Sequence, residues 1–105
     1  MAVTPKAVPP DFLAHAEGDS VAIAMRDLPA GPASGGYLAA DAQLYVSLSE
    51  PVRLGHKIAL RDIPAGSEVI EYGVPIAVAT QDIQAGQHAH VHNLRSIRWA
   101  SSRSA

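Results

Sequence analysis

The chain has 105 residues, enough for one domain, and 48% of them are hydrophobic, although only one is Phe and one is Trp. A formal net charge of −2 with scattered Lys and Arg excludes a dedicated nucleic-acid binder, because phosphate contacts need clustered cations. The absence of cysteine excludes disulfides and thiolate-held metals, and no apolar run approaches the ~18 residues of a membrane-crossing helix.

In chain order, residues 1–13 are rich in proline and lack the apolar stretch of a signal peptide, so they predict a disordered tail on a cytoplasmic protein. The folded domain is expected over residues 14–97. Val21, Ile23 and Met25 alternate with Ala22, Ala24 and Arg26, the period of a strand. The stretch Gly31 to Asp41, with three glycines, predicts a flexible loop. Leu44, Val46 and Leu48 alternate around Tyr45 and Ser47, and Ile58 and Leu60 alternate with Lys57, Ala59 and Arg61. Val69 to Tyr72 and Ile76 to Thr80 are β-branched-rich segments split by Gly73 and Pro75. Residues 98–105 predict a flexible tail. The whole predicts an all-β domain of six or seven short strands, closed as a barrel or as folded-over hairpins.

A pentapeptide punctuates the strands. Asp27-Leu-Pro-Ala-Gly31, Asp62-Ile-Pro-Ala-Gly66 and Asp82-Ile-Gln-Ala-Gly86 share one pattern at unequal spacings of 35 and 20 residues, which excludes a fixed-period solenoid. Proline at the second turn position, Ala at the third and Gly at the fourth predict type I turns that end one strand and launch the next.

Two places carry residues suited to chemistry. His88, His90 and His92 stand at a spacing of two, so on a strand three imidazoles would share a face, and neutral imidazole ligates zinc and iron. His56 and Lys57 follow Gly55 at a strand start, where the histidine could exchange a proton and the lysine could neutralise a substrate carboxylate. His15 has no direction fixed by sequence, and Glu68 and Glu71 read as surface charges.

Taken together, four colinear segments resemble altronate dehydratase. They are Ser20-Val-Ala-Ile-Ala-Met-Arg-Asp-Leu-Pro-Ala-Gly31, Gly55-His-Lys-Ile-Ala-Leu-Arg-Asp-Ile-Pro-Ala-Gly66, Val69-Ile-Glu-Tyr-Gly-Val-Pro-Ile-Ala77 and Ala85-Gly-Gln-His-Ala-His-Val-His-Asn93. Ala77 stands where the family carries glycine. The resemblance implies an SAF-type domain with a β-clip fold, in the altronate/galactarate dehydratase family either the N-terminal domain or a separate small subunit. It implies a hydro-lyase site for a sugar acid, completed by a large catalytic subunit, with a divalent metal, iron or manganese. On this reading His56 and Lys57 are the catalytic candidates, Lys57, His88 and Asn93 the substrate contacts, and His90 and His92 the metal ligands. Association of identical copies stays open. The alternatives are a sulfolactate sulfo-lyase small subunit and a non-catalytic ligand-binding module, since SAF-like domains also occur in sialic acid synthases and in flagellar or pilus assembly chaperones.

Overall fold

The computed structural model describes residues 9–38 and 42–97, and every element among them is a strand. There are nine: β1 (Phe12–Ala14), β2 (Val21–Ala24), β3 (Gly31–Tyr37), β4 (Gln43–Leu48), β5 (Lys57–Ala59), β6 (Glu68–Glu71), β7 (Val74–Ala79), β8 (His88–Ala89) and β9 (Leu94–Ser96). They form a six-stranded sheet in the order β4-β3-β1-β2-β5-β8 and a three-stranded sheet β6-β7-β9. All pairings are antiparallel except β1 with β3. The all-β, folded-over architecture expected from the alternating pattern is present, with more and shorter strands than the six or seven anticipated.

Two cores lie on the two faces of the central strands. Phe12, Ala14, Ala22, Ala24, Leu28, Ala33, Leu48, Val52 and Ile58 make one; Val21, Ala59, Ile63, Val69, Ala77, Ala79, Ile83 and Ala89 make the other. Strand alternation explains the division, because Val21 and Ala22 on β2, and Ala59 and Ile58 on β5, point to opposite sides. The first core is built around Phe12, the one Phe, which is fully buried among alanines.

That ring corrects two expectations. The folded chain begins before residue 14: Asp11 exchanges hydrogen bonds with Ser34, and Phe12 fills the core. Residues 1–8 of the expected tail, like the tail at 98–105, lie outside the described residues. The Gly31–Asp41 stretch is also largely strand rather than loop, and 39–41 lie outside the described residues. Its glycine has a packing reason, since any Cβ at Gly35 would overlap the Phe12 carbonyl and ring. Pro32 is tolerated because β3 pairs with β1 only from Gly35 onward, so no second ladder needs its missing N–H.

The repeated pentapeptides do punctuate the strands, but by a different device. Ser67 N donates to Pro64 O at 3.0 Å and Gln87 N to Gln84 O at 2.9 Å, placing Gly66 and Gly86 at the third turn position. Their φ values of 86° and 91° are those of type II turns, not the expected type I. The aspartates pin these turns. Asp62 Oδ1 accepts from Ala85 N and Asp82 Oδ1 from Ala65 N, both at 2.9 Å, while Ile63 and Ile83 form a two-way backbone bridge between the copies. Asp27 Oδ1 accepts likewise from Leu54 N at 2.9 Å, and Leu28 bridges to Val52. Arg53-Leu54-Gly55 is a third turn of this kind, with His56 N donating to Arg53 O and φ 84° at Gly55, whereas the first pentapeptide runs from Gly31 straight into β3, where Pro32 has no N–H to close one.

The β6–β7 hairpin turns through Tyr72 and Gly73, both at positive φ, and is tied to the first sheet by buried Asp19. Its carboxylate accepts from Tyr72 N and Gly73 N at 3.1 Å and from Ala16 N at 3.3 Å. Asp19→Ala strands these donors and is expected to cost about 2 kcal/mol. Urea unfolding checks this; a midpoint equal to wild type would show the carboxylate to be dispensable.

Candidate functional site

The three turns do more than reverse the chain, because two of them launch histidines. Gly55 ends one turn and hands the chain to His56, whose carbonyl accepts from Ala24 N at 2.9 Å while Gly55 N donates to Ala24 O at 2.9 Å. These bonds extend the β2–β5 ladder by one residue and fix where His56 emerges. Gly86 ends the second turn, pinned by Asp62, and Gln87 leads into His88 at the start of β8. The β5–β8 ladder pairs Ile58 with His88 and Lys57 with Ala89, so the next pair along it is His56 and His90.

The register brings the imidazoles together. His56 and His90 stack with centroids 4.4 Å apart at 17°, and His88 lies 4.9 Å from His56 and 5.2 Å from His90. His56 Nδ1 and His88 Nε2 are 2.8 Å apart. One nitrogen from each of His56, His88 and His90 falls within 4.8 Å of the other two. The ring of His92 stands 5.3 Å from that of His88 at 46°, exposed and outside this set.

The expected three-histidine strand is thus corrected. β8 is only two residues long, and the chain turns through residues 90–93, with Asn93 N and Leu94 N both donating to His90 O. Alternation carries His88 and His90 to one face, whereas His92 lies in the turn, its ring beside that of His88 but its nitrogens outside the converging set. Asn93, expected to contact substrate, is 4% exposed and shapes this turn. Its Oδ1 accepts from His90 N at 2.8 Å and its Nδ2 donates to His88 O at 2.9 Å, so both ends of the amide are engaged.

Lys57 emerges on the opposite face of the β5–β8 ladder from His56 and His88. There it lines an open cavity of about 930 Å³ whose walls include Val74, Ile76, Ala89, Val91, Leu94 and His90. His90, at the end of the ladder, belongs to both the histidine cluster and this cavity. The sequence also hid a carboxylate: Glu71, read as a surface charge, is buried and lies 3.9 Å from Lys57 Nζ. Its place on the buried face of β6, in step with Val69, was the available signal. Glu68 is exposed, as expected. His15 packs edge-on against Tyr72 at 4.7 Å and does not join the other four histidines.

Burial and neighbouring imidazoles lower the proton affinity of two of the imidazoles. Burial pushes His88 below the ordinary histidine range, and the neighbouring His56, His90 and His92 push it further, against an opposing pull from Glu50. Burial also lowers His90, followed by His56, His92 and Lys57. Unfolded, each takes its proton near pH ~6.5. Between the lowered folded value and that point the unfolded chain binds more protons, so folding stability is complete above pH ~6.5 and falls as the pH drops through it. Thermal midpoints are therefore expected to decline from pH 7.5 towards 5.5, and the decline should flatten in a His88→Gln, His90→Gln variant; identical profiles would contradict the assignment.

Three imidazoles with converging nitrogens suit a divalent cation, since nitrogens sharing one ion at ~2.0–2.1 Å bond lengths stand about 3 Å apart. On the other face of the ladder Lys57 places an ammonium in the cavity that His90 also lines.

Comparison with known proteins places this arrangement. Residues 10–97 match the family model described as the altronate/galactarate dehydratase SAF domain. The chain is 47% identical over 78 residues to altronate dehydratase of Escherichia coli (strain K12), covering 74% of this chain and 15% of that protein. It is 34% identical over 85 residues to altronate dehydratase of Bacillus subtilis (strain 168), covering 81% of this chain and 16% of that protein. Against (2R)-sulfolactate sulfo-lyase subunit alpha of Chromohalobacter salexigens it is 34% identical over 91 residues, covering 85% of this chain and 97% of that subunit. The chain thus spans about one-sixth of the length of these altronate dehydratases but nearly all of the sulfo-lyase subunit. With its folded-over strands, its repeated turns and its histidine-bearing ladder, the chain belongs to the altronate/galactarate dehydratase SAF-domain family.

Proposed function

We propose that this chain supplies one wall of a hydroxy-acid lyase site and that a larger catalytic chain supplies the rest. The observation that carries the reading is the convergence of His56, His88 and His90 beside a cavity lined by Lys57. Loss of water from a sugar acid begins with removal of a weakly acidic proton α to a carboxylate, so the developing negative charge needs fixed positive partners. Lys57 binds the substrate carboxylate. His56, His88 and His90 would hold a divalent ion, iron or manganese, and when bound it supplies Lewis-acid stabilisation to the oxygens of the substrate. The lowered proton affinity of His88 and His90 keeps their nitrogens available for that role at neutral pH. This moves His56 from the acid–base role expected of it to the cation site, and moves His92 out of it. Val74, Ile76 and Leu94 give the substrate's carbons an apolar wall, and the larger chain covers the open side.

A separate-subunit architecture is favoured by the 97% coverage of the sulfo-lyase subunit alpha. That relative's substrate is also a carboxylate, so Lys57 serves either chemistry, and the leaving group separates them. The test is co-expression of this chain with a dehydratase-type large chain from the same genome. The purified pair is assayed on altronate, galactarate and (2R)-sulfolactate for release of water or sulfite. Turnover of one of these, lost on chelation and restored by iron or manganese, is expected. An inert pair on all three, with either ion, would overturn the proposal.

A further inference from the structure

Lys57 is useful at the cavity only if something holds its ammonium there, because a lysine side chain has four flexible bonds and its natural resting place is bulk water. The structure contains such a holder. Glu71, on the last position of β6, is 6% exposed, and its Oε1 stands 3.9 Å from Lys57 Nζ. β6 and β5 belong to different sheets, so the pair also ties the hairpin β6–β7, which forms the cavity wall at Val74, Pro75 and Ile76, to the strand that carries Lys57.

We propose that Glu71 is a positioning residue, a buried carboxylate that aims the Lys57 ammonium across the cavity at the carboxylate end of the substrate. The inference rests on the lyase reading for the identity of that anion, and not for the pairing itself. A buried carboxylate is a costly thing to keep, and its surroundings are consistent with one that answers to Lys57. Burial pushes the Glu71 carboxyl above the ordinary carboxylate range, Lys57 pulls it back, and, from the β1–β2 connection, Asp19 raises it while His15 lowers it. The hairpin turn next to it is fixed independently by Asp19, through Tyr72 N and Gly73 N, so the backbone at Glu71 does not depend on the ion pair. Glu71 can therefore be changed without dissolving the turn.

The experiment uses this chain assembled with its large partner, and Glu71→Gln, Glu71→Asp, Lys57→Met and the Glu71→Gln/Lys57→Met double variant. Loss of one charge-assisted contact to the anion predicts a KM raised about tenfold in Glu71→Gln, with kcat changed far less. Glu71→Asp recovers part of that loss. In the Lys57→Met background Glu71→Gln adds nothing further to KM, because the glutamate acts through the lysine. A purely structural glutamate would lower the amount of active protein and leave KM alone, and either that result or an equal rise in KM in the Lys57→Met background overturns the proposal. The pairing is also read without turnover, by carbon NMR titration of the Glu71 carboxyl in this chain alone. Its titration moves to higher pH in Lys57→Met if the two are coupled, and an unmoved titration overturns the pairing. An inert assembled enzyme with the NMR coupling intact would instead count against the lyase reading.

Discussion

Gly86→Ala is expected to cost about 3 kcal/mol of folding stability, far more than a single methyl group normally does, because positive-φ strain and a backbone clash add. Gly86 sits at φ 91°, and a Cβ there would fall on the Ser47 carbonyl oxygen and within 3.5 Å of Leu48 Cα. Neither neighbour can move cheaply. Ser49 N donates to Gly86 O at 3.1 Å and Gly86 N to Ala59 O at 2.8 Å, so Gly86 is the point where the end of β4 is drawn against the β5–β8 side of the same sheet. Glu50 reinforces the seam by accepting from His88 N at 3.0 Å. Prising the seam open also displaces His88, two residues on, from His56. Gly66→Ala is the matched control: its φ is 86°, but a Cβ there meets nothing within 4 Å. It should lose only the backbone term, about 1 kcal/mol. Thermal unfolding of both variants checks the pair, with a drop of more than ~10 °C for Gly86→Ala. Equal midpoints would show that the close approach at Ser47 does not exist in solution.

His56→Ala and His90→Ala are each expected to lower turnover of the assembled enzyme by at least about 100-fold, the scale of losing a group that acts directly at the reacting centre. They are neighbours across the ladder, not along the sequence, and removing either leaves two nitrogens where three converge. His92→Ala should stay close to wild type, since its ring is exposed and outside the triad. Steady-state kinetics with saturating iron or manganese measures all three. A large loss in His92→Ala would restore its place as a metal ligand suggested by sequence spacing, and full turnover in His56→Ala would refute the triad drawn from the register.

The contrast shows what sequence can and cannot carry. Period-two alternation located β2, β4, β5 and β7 because each packs at least one face on a core. The same rule failed at His92, since nothing local announces that Asn93 will fold its amide back onto the backbone of His88 and His90. Phe12 was hidden by the prolines before it. β3 was hidden by its glycines and proline, whose purpose is visible only once Phe12 is seen lying over Gly35. The repeated aspartates were legible as a pattern but not as a device, because each accepts from a backbone N–H in a different copy 17 to 27 residues away. The turn at Arg53-Leu54-Gly55 shares only the glycine with the pentapeptides and could be found only from its hydrogen bonds. Glu71 was hidden for a related reason: a carboxylate on a short strand next to a turn reads as solvated until the facing sheet buries it.

On the proposed function, this chain completes an active site that it shares with a larger chain. The direct test holds the large chain at a fixed concentration, titrates this chain into it, and records lyase turnover on the substrate found for the pair. Negligible turnover is expected at zero, with a saturable rise to a plateau, and no plateau when the added chain carries His56→Ala and His90→Ala. A large chain equally active with and without this domain would contradict it.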